Sequence, residues 1–190
     1  MKARDIPNLI CVIRILLVIP IVVLLLRGEF ATVLVLFAVA GASDGLDGFL
    51  ARRFDWRSRL GAILDPLADK LLMVCTYATL GWIELLPLWL VVIVLARDVV
   101  IISGALAYHR LCGSVEMEPT RISKANTLFQ IVLVLLVMIA PLGLALPGWV
   151  MGSMIAVVAV TTLLSGGNYV WEWSHRAHRY QREGEGDERE

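Results

Sequence analysis

Four aspartates are the residues in this chain best placed to do chemistry. Asp44 and Asp47 lie three residues apart, and Asp65 and Asp69 lie four apart. On helices, both spacings put the pair on one face. The two stretches are joined by a short connection, so they should be antiparallel neighbours with acidic faces that can converge. Converging carboxylates repel one another unless a cation neutralises them. Hard divalent ions prefer oxygen ligands, so Mg²⁺, Mn²⁺ or Ca²⁺ suits this set better than zinc. Four carboxylates are enough to bridge two ions. Two separate solvated acid pairs would leave unexplained why both face one small region. Gly41, Gly45 and Gly48 line the first stretch and Gly61 opens the second, and small residues let membrane helices approach closely. Gly48 and Gly61 adjoin the carboxylates, where they suit close approach of a ligand. Arg52 follows about one turn after Gly48, and its guanidinium could hold a phosphate by a bidentate pair.

The elements that must position these residues are membrane helices. Of the 190 residues, 58% are hydrophobic and 18% charged, against about 25% charged in a typical soluble chain. That composition excludes a disordered chain and leaves too little polar surface for a soluble globule. Spanning ~30 Å of hydrocarbon takes about 20 mostly apolar residues at ~1.5 Å each. Six stretches qualify: Leu9–Leu26, Phe30–Leu50, Gly61–Trp82, Leu85–Tyr108, Ser123–Leu144 and Pro147–Tyr169. The expected fold is therefore an all-α polytopic membrane protein with six transmembrane helices. A short N-terminal interfacial segment, residues 2–8, precedes them. The first apolar run is longer than a signal-peptide h-region and shows no small-residue cleavage site, so the first span should be retained.

The formal net charge is zero, which gives no steering toward nucleic acid. Sorted by position, the bases say more. Thirteen lie at the ends and loops of one side, and only Arg27 lies on the other. By the positive-inside rule both termini, and the aspartates with them, are expected on the cytoplasmic side. Residues 1–175 form the membrane domain; 176–190 read as a charged, disordered cytoplasmic tail. Cys11, Cys75 and Cys112 make no CxxC pair, and those inside spans read as small apolar fillers. Trp82, Trp89 and Trp149 sit near span ends, as an aromatic belt would place them.

Read as a string, Asp44–Asp69 is DGLDGFLARRFDWRSRLGAILDPLAD. It resembles the motif of the CDP-alcohol phosphatidyltransferase family: D, two residues, DG, two residues, AR, eight residues, G, three residues, D, three residues, D. Asp44, Asp47, Gly48, Ala51, Arg52, Gly61, Asp65 and Asp69 fill every fixed position. The opening PNLICVIR resembles the family's PNxxTxxR start, with Cys11 in place of the usual threonine. The resemblance implies transfer of a phosphatidyl group from CDP-diacylglycerol to an alcohol, with release of CMP. It also implies that Asp44, Asp47 and Asp65 bind metal, and that Asp69 both contacts the second metal and acts as general base. Gly48, Ala51, Arg52 and Gly61 would line the CDP pocket. Two Mg²⁺ or Mn²⁺ ions would neutralise the pyrophosphate and the leaving CMP. Family members are commonly homodimers.

Candidates for holding the acceptor are Arg97, Arg121, Lys124 and Asn126. An internal ion pair with Asp98 or the aspartate cluster is the alternative for Arg97, and a simple positive-inside anchor is the alternative for Arg121. The segment PTRISKANTLFQ, Pro119–Gln130, resembles the PTxISKxNT pattern of the family's CMP-forming cardiolipin synthases. The related phosphatidylglycerophosphate synthases carry GKxKT, with a lysine where Asn126 stands. Fewer cations suit phosphatidylglycerol, with one charge, better than glycerol 3-phosphate, with up to two. The expectation is a cardiolipin synthase on a bacterial inner membrane; phosphatidylglycerophosphate synthase is the alternative. A divalent-cation transporter is a distant third, because acids are not distributed through the depth of the spans.

Overall fold

A computed structural model describes residues 6–54, 59–112, 121–143 and 146–187, with side chains described over 9–43, 53–54, 61, 64–104, 121–143 and 146–169. Every described element is helical. In chain order they are α1 (Ile6–Leu26), α2 (Phe30–Arg53), α3 (Arg59–Trp82), α4 (Leu88–Cys112), α5 (Arg121–Ile139) and α6 (Gly148–Asp187). A 3-10 turn, Ala140–Leu142, follows α5. Among the described residues, Leu9–Leu26, Arg121–Leu142 and Gly148–Tyr169 are long and apolar enough to cross a membrane, and Phe30–Ser43 is a shorter apolar run.

The helix ends have identifiable causes. After α1, the Glu29 N–H donates to Leu24 O at 3.0 Å and the Gly28 N–H to Leu25 O at 3.0 Å, with Gly28 at φ +76°. This is the Schellman stop, which needs a left-handed residue and favours glycine there. The same bonds recur after α3: Leu85 N–H to Leu80 O at 3.0 Å and Glu84 N–H to Gly81 O at 3.2 Å. Here the left-handed residue is Glu84, at φ 61°. This stop and Pro87 delay α4 to Leu88, three residues after the apolar run begins. Pro141, which cannot donate a helical hydrogen bond, ends α5 at Ile139.

The chain divides into two compact units. The first comprises Met1–Val91 with Ile131–Met151, and the second Val92–Gln130 with Gly152–Glu190. In the first, α1 packs on both α2 and α3, and the 3-10 turn touches α2. The buried residues of α1 are Cys11, Arg14, Val18, Ile21 and Leu25, steps of three and four that trace one helix face. Large apolar side chains on its other faces, including Leu16 and Ile19, are exposed. That apolar exterior suits hydrocarbon rather than water. Trp82 and Trp149, at helix ends, are 81% and 75% exposed, as interfacial tryptophans would be.

One boundary differs from the sequence expectation. α6 is continuous to Asp187, across residues read above as a disordered tail. Glutamate, arginine and glutamine are good helix formers, and only Gly184 and Gly186 work against them. Forty residues at ~1.5 Å each make a rod of about 60 Å, twice the hydrocarbon thickness. The expected interfacial segment falls largely outside the described residues or within the first turn of α1.

Candidate active site

In the first unit, α1 and α3 meet in two rungs. Cys11 and Arg14 are three residues apart on the buried face of α1. Opposite them stand Asp65 and Asp69, four apart on α3. The Cys11 Sγ donates to Asp65 Oδ1 at 2.6 Å, and Arg14 Nη1 donates to Asp69 Oδ1 at 2.8 Å in an ion pair. Arg14 is 1% exposed, whereas the Asp69 side chain is 50% exposed. Asp69 is thus held from inside by a sequestered cation, while its carboxylate keeps access to the exterior. Asp65 is half-buried and Gly61, one turn earlier, is buried.

Pro66 follows Asp65 directly and lies inside α3. It lacks an N–H, so the carbonyl four residues earlier, at Ala62 ahead of both aspartates, loses its helical partner.

Asp44, Asp47, Gly48, Ala51 and Arg52 lie in the last turns of α2; their side chains are outside the described residues. The helix is unbroken there, so Asp44, Asp47, Gly48 and Ala51, at steps of three, one and three, share one face. Because α1 packs on α2 as well as α3, it is the common neighbour of both acidic helices. Among the described residues no group of three or more His, Cys, Asp or Glu converges; Asp65 and Asp69 are described, whereas the side chains of Asp44 and Asp47 lie outside the described residues. The donors are carboxylate oxygens, one of them on a half-exposed residue. Such a set fits a hard divalent cation.

The acceptor candidates Arg97, Arg121, Lys124 and Asn126 lie in the second unit. Arg97 is 8% exposed on α4. Its Nη1 donates to Asp98 Oδ1 at 3.0 Å, and its Nη2 to Ser123 Oγ at 2.6 Å and Ser165 Oγ at 2.7 Å. The internal pair with Asp98, the alternative named for Arg97, is therefore present, and the two bonds from Nη2 tie α4 to α5 and α6. Arg121 and Lys124 are exposed in the first turn of α5. Asn126 is fully buried, with hydrogen bonds from Thr161 and Thr162 on α6.

Sequence reasoning missed six of these contacts. Cys11 was read as filler yet touches Asp65. Arg14, inside the first apolar stretch, was given no partner. Ser123, Ser165 and the threonine pair carried no motif. For α1 a signal existed: the Cys11–Arg14 spacing matches the Asp65–Asp69 spacing within one residue, as two facing helices would need.

The family model for CDP-alcohol phosphatidyltransferases matches residues 4–164. Human cardiolipin synthase (CMP-forming) is 36% identical over 152 residues, covering 72% of this chain and 50% of the human protein. Cardiolipin synthase (CMP-forming) of Streptomyces coelicolor is 40% identical over 116 residues, 57% of this chain and 54% of that protein. A chloroplastic CDP-diacylglycerol–glycerol-3-phosphate 3-phosphatidyltransferase of Oryza sativa is 37% identical over 125 residues, 55% of this chain and 37% of the rice protein. The chain spans about half or less of the length of these relatives. The match runs through all four aspartates and both rungs that hold two of them, and the chain belongs to the CDP-alcohol phosphatidyltransferase family.

Proposed function

We propose that this protein transfers the phosphatidyl group of CDP-diacylglycerol to phosphatidylglycerol, forming cardiolipin and CMP. Family membership supports the reaction class. The observation that carries the acceptor is Asn126, an uncharged, fully buried residue where the glycerophosphate branch has a lysine. The alternative acceptor, glycerol 3-phosphate, draws support from the rice relative.

In this reading a hydroxyl of phosphatidylglycerol attacks the phosphorus that bears diacylglycerol. A new P–O bond forms, the bond to the CMP oxygen breaks, and CMP leaves with the bonding pair. Asp69 takes the hydroxyl proton as attack begins. Arg14 fixes the Asp69 carboxylate through Oδ1, so the proton acceptor is oriented before substrate arrives. Cys11 does the same for Asp65. Gly48, Ala51, Arg52 and Gly61 receive the CDP group. Arg121 and Lys124, both exposed, attract lipid phosphate. Asp44, Asp47, Asp65 and Asp69 would hold two Mg²⁺ or Mn²⁺ ions. Bound there, the metal would supply charge neutralisation at the pyrophosphate and the departing CMP. Six spans, a cytoplasmic site and a homodimer complete the proposal; the apolar exteriors and the sidedness of the bases support the membrane topology.

The test is CMP release by purified protein supplied with CDP-diacylglycerol and one acceptor at a time. Phosphatidylglycerol should support release with Mn²⁺ or Mg²⁺ present, and a chelator should stop it. Release with glycerol 3-phosphate and none with phosphatidylglycerol would overturn the acceptor assignment. Undiminished release after chelation would overturn the metal assignment.

A further inference from the structure

The Asn126 amide is locked from one side and vacant on the other. Its Oδ1 accepts from Thr161 Oγ1 at 2.8 Å and from Thr162 Oγ1 at 2.9 Å. The two hydroxyls are unequal. Thr161 Oγ1 also lies 2.8 Å from the Val157 carbonyl and 3.2 Å from that of Val158, and a hydroxyl has one proton to share among them. Thr162, fully buried, directs its proton to Asn126. A primary amide is planar, so with Oδ1 engaged by α6 the NH₂ group points away from those threonines. Nδ2 is buried and has no hydrogen-bond partner. Burying an amide donor unpaired is costly, and native structures rarely leave one so.

A second donor of the same kind lies along this seam. One turn from Asn126 on α5 is Ser123, and one turn from Thr161 and Thr162 on α6 is Ser165. Both accept from Arg97 Nη2, and Arg97 Nε is likewise buried without a partner. Two sequestered donors with no acceptor call for an oxygen-rich ligand. A neutral amide suits an oxygen with little charge, whereas a doubly charged phosphate monoester is better held by a second cation.

We propose that Thr162, assisted by Thr161, is a positioning residue that fixes the Asn126 amide with its NH₂ toward the acceptor, where it donates to a headgroup oxygen. The substrate class rests on the reading of phosphatidylglycerol as acceptor. Thr162 then shapes acceptor choice without touching the acceptor itself.

Three variants test this in the full-length protein, with KM for each substrate and thermal denaturation in detergent as readouts. Thr162→Val keeps shape and removes the hydroxyl. It should raise KM for phosphatidylglycerol roughly tenfold, the weight of one hydrogen bond to a well-placed donor, and leave KM for CDP-diacylglycerol unchanged. Thr162→Ser should restore the acceptor KM. Asn126→Asp keeps an oxygen for the threonines but exchanges the donor for a carboxylate at a fully buried position, so it should weaken acceptor binding and also lower the melting temperature. An unchanged acceptor KM in Thr162→Val or Asn126→Asp, as a buried water on Nδ2 would give, overturns the proposal. So does an equal rise in KM for both substrates. If Thr162→Val fails to fold, Thr162→Ala decides, with the same rise expected in the acceptor KM alone. If the parent protein uses only glycerol 3-phosphate, the acceptor reading fails separately, and the same KM comparison with that acceptor still decides the role of Thr162.

Discussion

Asp69 combines two conditions a proton acceptor needs. It is fixed by a buried guanidinium, and half of its side chain is exposed. Asp69→Asn removes the basic oxygen with almost no change of shape, and turnover should fall by ~10²–10⁴-fold, the usual weight of a positioned general base. Binding of CDP-diacylglycerol should be largely spared. Loss of lipid binding together with turnover would assign Asp69 a ligand role alone. Arg14 acts on the reaction through Asp69. Arg14→Ala should cost about 10–100-fold in kcat, the range for residues that orient a metal ligand, and Arg14→Lys should recover only part because an ammonium lacks the planar fork. Equal kcat in all three forms, measured beside unchanged melting temperatures, would show that the ion pair serves packing only. The aspartates themselves were legible in the sequence, because carboxylates in apolar stretches are conspicuous. Their partners were not. Cys11 lies 54 residues from Asp65 and Arg14 lies 55 from Asp69, and which face of α1 meets α3 is decided by packing rather than by local pattern.

At the scale of the element, helix location follows from hydropathy and helix ends follow from backbone chemistry. The apolar runs predicted every helix start to within three residues. The late start of α4 arises from a turn whose signals are Glu84 and Pro87. The Glu84 position is a testable weak point. A non-glycine residue in the left-handed region costs roughly 1–2 kcal/mol, and Glu84 is exposed. Glu84→Gly should therefore stabilise the protein by about 1 kcal/mol, seen as a higher melting temperature in detergent at unchanged activity. A lower melting temperature would show that the glutamate side chain contributes more than its backbone strain costs. The far end of α6 was illegible for a different reason. Its charged composition is shared by solvated helices and by disordered tails, and composition alone does not separate them.

For the whole molecule, a zero net charge conceals a division of labour. Thirteen bases fall in the termini, loops and helix ends that the positive-inside rule would assign to one side, while four aspartates lie on α2 and α3. The first unit holds the aspartate rungs, and the second holds the buried polar seam of Arg97 and Asn126. The reaction class follows from the first, and the choice of acceptor is argued from the second. Nothing in the sequence foretold that the seam would be built from serines and threonines, since these residues are common in membrane helices and carry no spacing rule. The most direct test of the central claim follows the acceptor atoms. Isotopically labelled phosphatidylglycerol, unlabelled CDP-diacylglycerol and glycerol 3-phosphate are supplied together to the purified protein with Mn²⁺, and the lipid products are read by mass spectrometry. The label should appear in cardiolipin, with one CMP released per molecule formed. Label remaining in phosphatidylglycerol while phosphatidylglycerophosphate accumulates would contradict the account.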